Sequence, residues 1–176
     1  SSYYKAIVKD IRPVFMQQVE EDTMFLSADT LINATIGDSI NYLQAISAVK
    51  IFKSDLQAVC DSLYYSDVDS IFRLFDSPIS WSDTTQFLGD TMTIKLTNDS
   101  VSDLVALNNA FISSVDFDKY YNQIKGRYIH SYLDSNVLQR MLIKGNAESL
   151  YMIKDGDDKY IGANYTACSH MMFYFV

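Results

Sequence analysis

The side chains best placed for chemistry lie between Arg127 and Asp134. Period-2 alternation puts Tyr128, His130, Tyr132 and Asp134 on one face of a strand, and Ile129 and Leu133 on the other. Two phenols, an imidazole and a carboxylate in a row form a polar, aromatic wall suited to orienting a small molecule. Tyr151, on a later hairpin, is expected to face the same space. In such a ligand site Asp134 would meet a ligand amine through a charge-assisted hydrogen bond. His130, with an ordinary pKa of about 6.5, would add pH dependence near neutrality. Alternation sends Arg127 to the opposite face, so a neutral or cationic ligand is expected. The plainer reading is a solvent-facing strand in which Tyr serves β propensity.

Other reactive constellations are missing. The six glycines are isolated from one another, so no phosphate-cradling loop forms, and neither GxSxG nor HExxH occurs. His130 and His170 are the only histidines, too few for most zinc sites or His-based triads. Asp67-Val-Asp69 and Asp116-Phe-Asp118 have the spacing of some metal-binding motifs, but capping and solvation explain them better. Asp155-Gly156-Asp157-Asp158 reads as a hairpin turn, because the other ligands of a calcium loop are absent. Three stretches, beginning at Asn33, Asn98 and Asn164, match the glycosylation acceptor pattern; with nine Asn and abundant Ser and Thr, one or two matches arise by chance, so three say little. No catalytic residue, metal ligand or cofactor is therefore expected, and the chain reads as a non-enzyme.

Composition points the same way. At 176 residues with 48% hydrophobic content, one domain with one core is expected. Thirteen Tyr and ten Phe argue for order throughout. The net charge is −8, and the densest basic stretch, Lys119 to Arg127, holds only three cations. Phosphate neutralisation needs more, so no nucleic-acid partner is expected. The chain opens Ser1-Ser2-Tyr3 without an initiator Met, as a processed or excised form would, and carries no apolar run of membrane-spanning length. Membrane contact would come only through an anchor lying outside these residues. Cys60 and Cys168 are too far apart in sequence for a CxxC motif, and two buried thiols are the simpler expectation over a disulfide.

The elements expected to hold these residues are helical first and mixed later. Phe15, Val19, Phe25, Leu26, Ile32, Ile36, Ile40, Leu43 and Ile46 recur at three- and four-residue steps, predicting one kinked helix or two, with a break at Gly37-Asp38-Ser39. Short helices are expected over Ser54–Tyr64 and Asp67–Phe75, ended by Ser77-Pro78. Trp81 to Gly89 reads as a loop. Alternation then predicts strands at Thr91–Thr97, Arg127–Asp134, Ser149–Lys154, Lys159–Tyr165 and Cys168–Val176. Helices are expected between Leu104 and Ser114 and between Asn136 and Lys144. The fold class predicted is α+β: a long N-terminal helical region over residues 3–76, packed on an antiparallel sheet built from residues 91–176. The predicted core is Phe25, Ile32, Leu43, Leu56, Leu74, Leu104, Ile129, Leu142 and Ile153.

Two stretches carry a resemblance. Ile11-Arg12-Pro13 through Glu21, continued by Ser27-Ala28-Asp29-Thr30-Leu31-Ile32, resembles the membrane-exit helix of bacterial sensor histidine kinases and diguanylate cyclases. Leu150 to Gly162, with its Asp-Gly turn and following Ile161-Gly162, is similar to the central hairpin of Cache and PAS-like sensor domains. The resemblance implies a periplasmic or extracellular ligand-sensing domain of a membrane receptor with a long N-terminal helix. The heptad-like spacing of Phe15, Val19, Leu26, Ile32, Ile36 and Ile40 separately predicts self-association through that helix. The alternative expectation is a non-catalytic interaction or structural domain of a viral or secreted surface protein.

Overall fold

β-branched and aromatic side chains recur in every segment between turns, and the backbone is strand almost throughout the described residues. The computed structural model describes residues 3–6, 11–19, 22–36, 40–97, 100–116, 119–134 and 137–175. Its strands begin with β1 (Tyr3–Ala6), β2 (Val14–Val19), β3 (Asp22–Ser27), β4 (Thr30–Ile36) and β5 (Ile40–Lys53). Next come β6 (Leu56–Ser66), β7 (Ile71–Phe75), β8 (Ile79–Ser82), β9 (Thr85–Leu88) and β10 (Thr91–Thr97). The last four are β11 (Ser100–Asp116), β12 (Tyr120–Asp134), β13 (Val137–Lys154) and β14 (Tyr160–Tyr174). All pairings are antiparallel.

Six strands close a ring of pairings, from β6 through β7, β10, β11, β9 and β8 back to β6. The registers show how the ring is made. β7 and β8 both lie on one edge of β6, at Ser62–Ser66 and Gln57–Val59 respectively. β10 and β9 likewise share one edge of β11. Each short pair is thus one long strand broken at the same level, and β3 with β4 is broken in the same way against β5. The chain is an up-and-down meander whose every long strand is interrupted in one row.

That row is a crease. Register shifts fall between Ile46 and Val49, Leu107 and Ala110, Lys125 and Tyr128, and Lys144 and Ala147. Alternate strands carry two successive left-handed residues there: Ser47-Ala48, Asp76-Ser77, Asn108-Asn109 and Gly145-Asn146. Backbone bonds stitch the row, with Asp29 N donating to Ser47 O at 3.0 Å and Ser77 N to Asp90 O at 3.1 Å. Bulges of this kind bend strands and sharpen their twist. A straight strand of the length of β11 would run about 55 Å. The crease divides it between two facing layers instead.

The layers meet around one core. Leu26, Val49, Ala58, Phe87, Ala110, Ile124 and Ala147 come from one side of the crease; Leu43, Leu63, Leu74, Met92, Ile94, Leu104, Ile129, Met141 and Ile143 come from the other. Away from the crease a cavity of about 200 Å³ lies between them, with Leu56 and Phe87 on one wall and Val101, Leu104, Leu133 and Leu138 on the other.

The α+β expectation is overturned, because no helix occurs among the described residues. The N-terminal helical region is β1 to β7. The expected helices at 54–64, 67–75, 104–114 and 136–144 fall, wherever they are described, in β6, β7, β11 and β13 and in the turns that precede β6 and β7. The Trp81–Gly89 loop is the β8–β9 hairpin. Self-association through an N-terminal helix therefore has no helix to act through. Physically, the residues read as one helical stripe lie on both faces of the strands: Leu26, Ile32 and Leu43 are buried, whereas Phe25, Ile40 and Ile46 are exposed. In β5 and β6 the crease also makes inward positions step by four and by three, which mimics helical spacing. The separate later sheet is overturned as well, since its strands continue one sheet that begins at β1; within it β10 spans Thr91–Thr97 and an Asp155–Lys159 turn joins β13 to β14. Of the predicted core, Ile32, Leu43, Leu74, Leu104 and Ile129 are buried, and Leu56 packs against the core from a half-buried position. Leu142 is half-buried, whereas Phe25 and Ile153 are 38% and 39% exposed. Both cysteines are free, and Cys168 is exposed. The expected break at Gly37-Asp38-Ser39, the Asn98-Asp99 turn and Asp118 lie outside the described residues.

Candidate functional site

Beyond the crease, β12 alternates cleanly. Ile129 and Ser131 are fully buried inward, while Tyr128, His130 and Tyr132 line the outer surface, half-buried. The outward row is the one alternation predicts. Neighbouring strands complete it, since Asp103 on β11 lies opposite Tyr132, and Arg140, Leu142 and Lys144 on β13 face Tyr132, His130 and Tyr128.

His130 is the hub. Its Nε2 lies 2.8 Å from Asp103 Oδ1, and its Nδ1 lies 3.1 Å from the Tyr128 hydroxyl. A neutral imidazole protonated on Nε2 satisfies both: the phenol donates to Nδ1 and Nε2–H donates to the carboxylate. The ring stacks on Tyr132 with centroids 3.8 Å apart, and the Arg140 guanidinium lies 4.2 Å from the same phenol centroid. Lys144 Nζ sits 5.8 Å from the Tyr128 centroid. Burial alone would raise the Asp103 pKa, but hydrogen bonds from His130 and Ser102 outweigh it and hold the carboxyl below its usual range. Burial pushes the Tyr128 phenol up, keeping it a donor.

Two of the expected site residues are not part of this group. Asp134 lies exposed at the β12–β13 hairpin, and the carboxylate that reaches His130 is Asp103. Tyr151 faces inward, against the core, and stacks on Phe173 at 5.4 Å between centroids. Asp103 had no local signal, being 27 residues from His130 and just before the stretch Leu104–Ser114 that reads as helix.

Chemically, the arrangement is a fixed polar chain on the outside of one layer. Both imidazole nitrogens are engaged, so a ligand reaching His130 must first displace Tyr128 or Asp103. Among the described residues no group of three His, Cys, Asp or Glu side chains is placed to hold a metal ion.

The other feature that sets this chain apart is its last strand. β14 pairs with β13 from Tyr160 to Tyr174, and no described strand pairs with its other edge. Every residue from Ile161 to His170 is exposed, on both faces. No family model and no curated protein matches this chain.

Proposed function

We propose that this chain is a non-catalytic interaction module that works by strand addition along the free edge of β14. The observation that supports it is the make-up of that edge. Native sheets blunt exposed edges with charges, Pro or short strands. β14 is fifteen residues long and contains no Lys, Arg, Asp, Glu or Pro. Ile161, Tyr165, Met172 and Tyr174 are 65%, 62%, 40% and 72% exposed along it. An unguarded edge of this length is a template for a partner strand, whose main-chain bonds supply affinity while alternate side chains supply specificity.

The shape of the edge selects the partner. β14 bends at Ser169, opposite Gly145-Asn146 of β13. A straight strand would pair with only one half. The matching partner is an antiparallel strand with a two-residue left-handed step of its own, so it belongs to a second creased sheet. The ligand-sensing reading rests on the His130 group, whose nitrogens are already occupied, and is the weaker of the two.

A synthetic peptide with the β13 sequence, Val137 to Lys154, is the probe, because β13 carries the two-residue left-handed step and pairs antiparallel with the opposite edge of this strand. It is expected to bind the chain, and a peptide lacking Gly145-Asn146 is expected to bind at least about tenfold less, since half the main-chain bonds are lost. Successive N–H groups alternate sides along a strand. Of Thr166→Pro and Ala167→Pro, one should therefore unfold the β13 pairing and the other should leave stability intact and abolish binding. Equal binding of the two peptides, or no binding of either, would overturn the proposal.

A further inference from the structure

We infer that the outer groove beside the crease, between β11 and β14, is a binding site for a saccharide that carries a carboxylate. The groove has a volume of about 390 Å³ and is lined by Asn108, Asn109, Lys125, Arg127, Asn146 and Glu148 with the backbone of Gly126 and Gly145. A second cavity of about 170 Å³ shares Lys125 and Glu148 and adds Phe111, Gln123, Leu150 and Tyr165. Small-ligand sites usually fall between about 300 and 1,000 Å³.

The crease is what opens this space. Gly145 has φ +76°, and a Cβ there would stand 2.9 Å from Arg127 Cβ, so a side chain would drive Arg127 out of place. Left-handed φ at Asn108, Asn109 and Asn146 accounts for asparagine at those positions. It does not account for the cations, the carboxylate and the exposed phenol gathered around them. Asn109 is fixed by Asp90, its amide nitrogen 3.0 and 3.2 Å from the two carboxylate oxygens. Glu148 takes a hydrogen bond from the Tyr165 hydroxyl at 3.3 Å and an ion pair from Lys125 at 3.8 Å. The Asn108 and Asn146 amides and the Arg127 guanidinium have no partner among the described residues.

Those three groups set the ligand chemistry. Planar amides offer adjacent donors and acceptors, which match vicinal sugar hydroxyls. The guanidinium fork matches a carboxylate with two parallel hydrogen bonds. Tyr165, 62% exposed, presents a ring face for the C–H side of a sugar. A bare anion is a poorer match, because the protein carries a net charge of −8 and Glu148 and Asp90 stand nearby. The site therefore needs hydroxyls as well as charge.

The test is an NMR titration of the whole chain with trigalacturonate, with neutral galactotriose and with acetate, at one ionic strength. Trigalacturonate should shift the amides of Asn108, Arg127, Gly145, Asn146 and Tyr165; galactotriose should bind about tenfold more weakly, and acetate should shift none of them. Arg127→Gln should weaken trigalacturonate about tenfold and leave galactotriose unchanged, whereas Tyr165→Ala should weaken both. Circular dichroism confirms that each variant is folded. No shift at the crease with either saccharide, acetate acting as well as trigalacturonate, equal affinity for both saccharides, or an Arg127→Gln variant with unchanged affinity would each overturn the inference.

Discussion

Replacing Gly126 by Ala tests the packing at the crease, where β12 and β13 approach closely. A Cβ at Gly126 would stand 2.5 Å from Ile143 Cγ2 and 3.4 Å from the Lys144 carbonyl oxygen. Apolar carbons rest about 3.5–4.0 Å apart, so the first contact is short by roughly 1 Å or more. Ile143 is fully buried and has little room to yield. Overpacking of this kind costs about 1–3 kcal/mol. Against it stands the loss of unfolded-chain freedom when Gly becomes Ala, worth about 0.4–1 kcal/mol of stabilisation. The clash wins, and Gly126→Ala should be destabilised by about 1–2 kcal/mol in urea unfolding at unchanged slope. Ile143→Leu removes the offending methyl at nearly constant volume. In that background the same substitution should cost about 1 kcal/mol less. A Gly126→Ala chain as stable as the parent, or a double-mutant cycle with no coupling, would refute the packing described at the crease.

Three further outcomes are expected. The buried Ser131 hydroxyl has no hydrogen-bond partner among the described residues, so Ser131→Ala should raise stability by about 1 kcal/mol, read as a higher urea midpoint; a loss of that size would contradict the assignment. Burial pushes the Cys60 thiol up to about 12, while Cys168 is exposed. Ellman's reagent should therefore titrate one thiol in the native protein and two in denaturant, and two fast native thiols would be inconsistent with a closed core. The carboxyls of Asp69, chiefly through its hydrogen bond with Arg73, and of Asp103 are held below their ordinary values in the fold. Depressed carboxyls stabilise the protein above the unfolded pKa and lose that contribution as pH falls through the folded one. Thermal melts should thus drop below about pH 4, and less steeply in Asp103→Asn; an identical slope would remove Asp103 from the account.

The sheet was partly legible in the sequence, and the crease explains which part. Thr91–Thr97 and, apart from Arg127 at the crease itself, Arg127–Asp134 each lie within one half of a creased strand, so their alternation runs unbroken. Across the crease it does not. The inward residues of β5 are Leu43, Ala45, Val49 and Ile51; those of β6 are Ala58, Cys60, Leu63 and Tyr65. A step of four in one and of three in the other is the spacing by which an amphipathic helix is recognised. No propensity argument separates the two readings when the strand is long and interrupted at its middle. The outer row of Tyr128, His130 and Tyr132 was legible for the same reason as the strand that bears it. Asp103 was not, because cross-strand neighbours are set by register, and register depends on bulges whose left-handed residues, such as Ser47-Ala48, carry no glycine to announce them. Tyr151 was misplaced because its face on β13 is fixed by the Gly145-Asn146 step.

The free edge of β14 is the feature on which the functional account depends, and amide hydrogen exchange along Ile161–His170 tests it most directly. In the chain alone, protection should alternate residue by residue, with amides bonded to β13 slow and those facing the open edge fast. Addition of the Val137–Lys154 peptide should make the fast set slow. Uniform protection before any peptide is added would mean the edge is already covered, and a fast set that stays fast in saturating peptide would mean that no strand adds to it. Either result contradicts strand addition as the work of this chain.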